Sequence, residues 1–118
     1  MGIEFDVEFL EEALAFLNDL NKNERRKVIY NIDKLRFKPD PVLFKKLTSE
    51  IWEFRTQYNS KCFRIFAFWY NADQQKKLII ATHGIIKKSN KTPRQEIERS
   101  ERIRIAFIKA KSSYKQGR

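Results

Sequence analysis

The sequence predicts an α+β domain: a small antiparallel meander sheet with an N-terminal helical hairpin and a C-terminal helix. Three observations carry this. Apolar residues recur at helical spacing through the first third of the chain. Three β-prone runs follow, separated by turn signals. Thr92 and Pro93 then open a long amphipathic stretch with the pattern of a helix start. The 118 residues suffice for one domain, 1–118, with a modest core.

The first helix is read over about residues 7 to 20, from Phe9, Leu10, Ala13, Leu14, Leu17 and Leu20. A short strand over Ile3 to Phe5 precedes it. Asn21-Lys22-Asn23 breaks the helix, and Asn21 or Asn23 caps the next one, with Glu24 in its first turn. Val28, Ile29, Ile32 and Leu35 form that helix's stripe, and Pro39 and Pro41 end it. Three strands come next: 50–58 with alternating faces, 62–70 as a continuous apolar run, and 77–83. The last helix spans about 93 to 110, with Thr92 as N-cap and Gln95 reaching back. Its stripe is Ile97, Ser100, Ile103, Phe107 and Ala110.

Composition narrows the function. Apolar residues at 42% and aromatics at 14% exclude a disordered chain. No apolar run approaches a membrane span, and the N-terminus does not read as a signal peptide. A single cysteine, Cys62, excludes an internal disulfide. The expectation is a cytoplasmic protein without a membrane partner. The net charge is +10, and it is uneven. Residues 1–20 hold six acidic side chains and no Lys or Arg, whereas residues 84–118 hold eleven basic and three acidic ones. A cationic body with one acidic face points to a polyanion, most often nucleic acid.

The segment Thr82 to Pro93 concentrates this charge. It contains the single histidine, His83, and Lys87, Lys88 and Lys91. It reads as a cationic loop joining a strand end to a helix N-terminus, a setting that suits a phosphate. His83 is placed on the face of Ile79 and Ala81. It is either a structural histidine or a neutral imidazole able to accept a proton, since nearby positive charge disfavours protonation. The lysines either bind phosphate or, with a pKa lowered by crowding, supply a base.

The turn Asn59-Ser60 sets a register. If it is a symmetric two-residue tip, Tyr58 faces Lys61, Thr56 faces Phe63 and Arg55 faces Arg64. Trp52, Phe54, Phe63 and Ile65 then share the core face, and the arginines share the other. Like charges across a ladder are destabilising. Such a pair needs an anion, or else a carboxylate between the two, for which Glu53 is on the right face. No zinc spacing, Walker loop, dinucleotide fingerprint or nucleophile elbow is present, so no metal or cofactor is expected. RNA cleavage needs neither, because the 2′-hydroxyl is the nucleophile.

These residues resemble the RelE/ParE superfamily of bacterial toxins, most closely its phage-derived, HigB-like branch. The matching pieces are Phe44-Lys45-Lys46-Leu47, Ile51-Trp52-Glu53-Phe54-Arg55, Phe63-Arg64-Ile65-Phe66, and His83-Gly84-Ile85-Ile86-Lys87-Lys88 with Lys91-Thr92-Pro93. The resemblance implies a RelE-like fold and the toxin of a type II toxin–antitoxin pair. It implies ribosome-dependent mRNA cleavage, neutralisation by an antitoxin that is often a helix-turn-helix protein, and contact with operator DNA through that antitoxin. Arg55, Arg64, His83, Lys87 and Lys88 would fall in the catalytic region, with Arg64 on the scissile phosphate and a lysine or His83 as base. Lys45, Lys46, Lys61 and Lys91 would bind RNA phosphates. A C-terminal Arg-and-Tyr arrangement found in some members is missing, which leaves the general acid unassigned. The gyrase-inhibiting ParE branch shares the fold without RNA chemistry, and a third possibility is a member that only binds its partner or nucleic acid.

Overall fold

The computed structural model describes residues 5–71, 77–87 and 92–116. The chain runs β1 (Asp6–Phe9), α1 (Glu11–Asp19), α2 (Lys22–Leu35), β2 (Phe44–Lys46), β3 (Trp52–Tyr58), β4 (Lys61–Tyr70), β5 (Leu78–Lys87) and α3 (Arg94–Gln116). The strands form one five-stranded sheet in the order β1-β5-β4-β3-β2. The α+β class and the β3-β4-β5 meander agree with the sequence reading.

The helical hairpin is set by local chemistry. Asn21 caps α2 in a full capping box: its side chain accepts from the Glu24 N–H at 2.8 Å, and the Glu24 carboxylate accepts from the Asn21 N–H at 3.1 Å. No basic residue occupies the last turn of α1. Arg25 of α2 reaches back instead, donating to the carbonyls of Leu17 and Leu20 at 2.9 Å and so capping groups the helix end leaves orphaned.

Both sheet faces are covered. Ala13, Leu17 and Leu20 near α1 and Val28, Ile32 and Leu35 of α2 pack with Phe54, Phe63, Ile65, Ala67, Ile79 and Ala81. On the other face Ile51, Phe66, Phe68 and Ile80 meet Ile97 and Phe107 of α3. The sheet is therefore the middle layer between the hairpin and α3. Gly84 lies within β5, where a Cβ would fall 2.4 Å from the Phe16 ring of α1. The glycine is what lets the first helix approach the strand. Among the described residues, no helix is long and apolar enough to cross a membrane.

Four expectations change. The sheet has five strands, because two short edge strands join the meander. β1 pairs in parallel with β5, Phe9 opposite Ala81, so Phe9 belongs to a strand and the first helix starts at Glu11. Its exposure alternates along Asp6 to Phe9, as a strand's does. The strand read at Ile3 to Phe5 lies mostly outside the described residues, and Phe5 is a buried core residue just before β1. β5 does not stop at His83 but continues to Lys87, so the first part of the expected loop is strand. The last helix runs on to Gln116.

Candidate active site

The hairpin register is as the turn predicted. Asn59 and Ser60 both have positive φ, 51° and 64°, the conformation of a two-residue hairpin turn. Tyr58 pairs with Lys61, Thr56 with Phe63 and Arg55 with Arg64. Cross-strand partners share a face. Continuing the ladder, Arg64 faces Ile85, Cys62 faces Lys87, and Lys45 of β2 faces Glu53. Lys45, Arg55 and Lys87 therefore stand on the α3 side of the sheet, around Glu53 and Arg64.

That pair is fully buried. Glu53 and Arg64 both have 0% exposure. Arg64 Nη1 donates to Glu53 Oε1 at 3.2 Å and Oε2 at 3.1 Å, and to Thr92 Oγ1 at 2.6 Å. Thr92 Oγ1 in turn donates to Glu53 Oε2 at 3.0 Å. Arg55, with its side chain 19% exposed, adds Nε at 3.4 Å from Glu53 Oε1. Glu53 is thus the carboxylate between the facing arginines, and it removes their repulsion. Arg64 spends its described contacts inside the protein, while Arg55 stands at the edge of the cluster. Thr92, read as a helix cap, spends its hydroxyl on the same cluster and ties the start of α3 to the sheet.

His83 shares the face of Arg55 and Arg64 and not, as expected, that of Ile79 and Ala81. A bulge between Phe66 and Ala67 pairs Phe66 with His83 and Ala67 with Ala81, leaving Thr82 as the extra residue. The alternation breaks there. His83 stacks on Phe66, ring centroids 4.8 Å apart, on the α3 side, while Ile79 and Ala81 face the hairpin. It is 1% exposed. Its Nε2 is 3.0 Å from Glu96 Oε1 and its Nδ1 3.0 Å from Thr82 Oγ1, which lies 2.8 Å from Ser100 Oγ. Burial, the largest cause, holds its pKa below the ordinary value, outweighing the Glu96 hydrogen bond. A neutral ring facing a carboxylate carries its proton on Nε2, which leaves Nδ1 as an acceptor beside the Thr82 hydroxyl, and that hydroxyl also lies 3.3 Å from the Phe66 carbonyl. Glu96 also pairs with Arg99, which bonds Glu12 of α1. His83 is engaged through both nitrogens and holds α3 on the sheet.

The other sequence candidates divide. Lys46 pairs with Trp52 and so stands on the hairpin side. Lys61 is on that side too, with Nζ 3.1 Å from Glu24 Oε2. Lys88 and Lys91 lie outside the described residues. Glu96 and Ser100 were missed as partners. Ser100 left a signal, since a hydroxyl on an apolar helix stripe marks a buried hydrogen bond. Among the described residues no group of three His, Cys, Asp or Glu side chains is placed to hold a metal ion.

Residues 15–104 match the family model described as Phage derived protein Gp49-like. The matched span holds Glu53, Arg55, Arg64, His83, Lys87 and Thr92. A search of curated proteins finds no match. Among solved structures, the crystal structure of an archaeal RelE–RelB complex from Pyrococcus horikoshii OT3 is similar at 14% identity and a TM-score of 0.48, over 75% of this chain and 100% of that one. This chain belongs to the Gp49-like phage-derived family.

Proposed function

We propose that this protein is the toxin of a toxin–antitoxin pair, a ribosome-dependent endoribonuclease that cuts mRNA in the ribosomal A site by attack of a 2′-hydroxyl. The observation that supports this most is the gathering of Lys45, Arg55 and Lys87 on one sheet face around a buried ion pair. Arg55 and Lys87 stand two strand spacings apart and two residues out of register, about 12 Å between backbones. Long side chains from both sides can close on one phosphate across that gap.

Each group then has a role. Arg55 stabilises charge on the scissile phosphate, its guanidinium steadied by Glu53. Arg64 is a positioning residue: it holds the carboxylate that holds Arg55. Lys87, with Lys88 next in sequence, takes the 2′-hydroxyl proton as its neutral amine. The 2′-oxygen attacks phosphorus as the bond from phosphorus to the 5′-oxygen breaks, and the 5′-oxygen takes a proton from water, giving a 2′,3′-cyclic phosphate and a 5′-hydroxyl. Lys45 contacts a flanking phosphate, as does Lys91. The ribosome presents the mRNA, and an antitoxin partner covers the basic surface.

Expression with and without the neighbouring gene tests this. The expected result is growth arrest, new 5′ ends within translated messages, and rescue by the co-expressed antitoxin. Arg55→Ala, at a site that is partly exposed, should leave the fold intact and lower cleavage by about 100-fold, the scale of losing one positioned charge donor. Arrest with uncut messages and DNA damage would replace this reading with topoisomerase inhibition.

A further inference from the structure

A second basic surface adjoins the site. Between α2 and the β2 side of β3 runs a groove of about 600 Å³, lined by Lys27, Lys34, Lys45 and Arg55 with Asn31 and Gln57. Its lining residues include no acid. β2 is short: it pairs with β3 from Trp52 to Phe54, the Arg55 N–H then donates to the Leu43 carbonyl at 2.8 Å, and the groove lies where this pairing ends. Asn31 Nδ2 donates to Thr56 Oγ1 at 3.1 Å and fixes α2 against β3, so the groove is preformed.

The α2 rim of this groove continues onto an aromatic ring. Lys27 and Lys34 sit three residues before and four after Tyr30, and their ammonium groups lie 5.6 and 5.7 Å from its ring centre. Tyr30 is 58% exposed. Of the acids of this helix, Glu24 is engaged with Asn21 and Lys61, while Asp33, 4.0 Å from Arg36, lines with Tyr30 a neighbouring depression whose other charged residues are Lys22, Arg25 and Arg26. An exposed aromatic ring flanked by lysines that themselves line an acid-free groove is the arrangement that binds single-stranded nucleic acid: bases stack and cations follow the backbone.

We propose that the α2 face carrying Lys27, Tyr30 and Lys34, with Lys45 across the groove, is a track for the single-stranded RNA next to the cleavage site. The proposal rests on the nuclease reading, since Arg55 lines both the groove and the candidate site. A base stacks on Tyr30 and displaces an ammonium group onto the adjoining phosphate. The chemistry favours RNA over an acidic protein because a carboxylate-bearing partner has no use for a stacking ring continuous with the phosphate site.

The test is binding of the full chain to a fluorescent, fully 2′-O-methylated single-stranded oligoribonucleotide, followed by anisotropy as a function of salt. Tyr30→Leu should weaken binding about tenfold, the scale of one lost base stack, and Tyr30→Phe should restore it. Lys27→Gln with Lys34→Gln should lower the slope of log K against log salt by about 1.4, at 0.7 per phosphate contact. All these side chains are at or near the surface, so the variants should fold. Unchanged affinity and slope in these variants overturn the track. So does unchanged oligonucleotide binding with weakened antitoxin binding, which would give the surface to the protein partner. The oligonucleotide cannot be cut, so the readout does not depend on catalysis. Binding through α2 together with intact messages in cells would keep the track and refute the nuclease.

Discussion

Arg64→Ala is the perturbation that bears most directly on how this site is built. It removes the Nη1 contacts at 3.1 and 3.2 Å to a carboxylate with no exposure, and the 2.6 Å contact to Thr92. Deleting one partner of a buried ion pair costs about 3–5 kcal/mol, because the other charge stays buried. Glu53 keeps Thr92 at 3.0 Å and Arg55 at 3.4 Å, so the low end applies, about 3 kcal/mol. A domain of this size has about 5–15 kcal/mol in all. With Arg64 on the scissile phosphate, as the family resemblance implies, this variant would lose activity while its fold persists. The burial changes that expectation, since much of the loss should come through stability.

Urea unfolding followed by tryptophan fluorescence measures it, with Trp52 and Trp69 as reporters packed near Phe44. The midpoint should fall with little change in the slope. Glu53→Leu combined with Arg64→Met should recover most of the loss, since a buried pair is often replaceable by apolar groups of similar volume. An Arg64→Ala protein within about 1 kcal/mol of the parent would refute the reasoning, as would a double variant that loses the sum of the single losses. Arg55→Ala is then the cleaner probe of phosphate chemistry.

Three further outcomes follow from particular residues. Gly84→Ala puts a methyl 2.4 Å from the Phe16 ring and should cost about 1–3 kcal/mol by overpacking; an unchanged denaturation midpoint would show that α1 shifts freely. Ser60→Gly should stabilise by up to about 1 kcal/mol, because Ser60 is held at φ 64° where glycine carries no Cβ penalty, and a thermal melt reads the gain. His83 has a pKa below its ordinary 6.5, so the unfolded chain takes up a proton that the folded chain refuses. Stability is therefore full above that value and falls as pH drops below it, a decline visible between about pH 7.5 and 5.5 that His83→Gln should flatten. The Glu24 carboxyl, held below 4.5 chiefly by the Asn21 backbone and Lys61, loses its contribution only at lower pH and does not confuse that window. A flat profile in the parent protein would count against the buried neutral ring.

The central meander was legible because its signals are local. Two turn residues fixed the β3–β4 register, and alternation alone placed Glu53, Arg55 and Arg64 on one face. The edge strands were not legible. β1 has four residues and β2 three, and the parallel β1–β5 pairing joins segments more than sixty residues apart, so no local pattern announces it. The bulge at Thr82 carries no residue signature of its own, and its single extra residue moved His83 to the other face. Gly84 in a β-branched run looked like a loop start, whereas in a strand it marks a close approach by another group. Thr92 was an acceptable cap on spacing. Only the fold shows that a buried carboxylate on a distant strand competes for its hydroxyl.

The two polar clusters explain one another's position. α3 meets the sheet through Thr92 on Glu53 and Arg64, then one turn on through Glu96 on His83, then through Ser100 on Thr82. A layer of Ile97 and Phe107 against Phe66, Phe68 and Ile80 would bury apolar area in several rotations of the helix. Hydrogen bonds at three successive points allow only one. Buried ionic groups are an inefficient source of stability, and what they supply here is registry of α3 on the sheet. That registry fixes where the chain re-enters after Lys87 and how Glu53 presents Arg55. The bulge is part of the same device: it turns Thr82 and His83 together toward α3, which a regular strand would not do. A variant that regularised β5 would therefore be expected to disturb Arg55 without touching it.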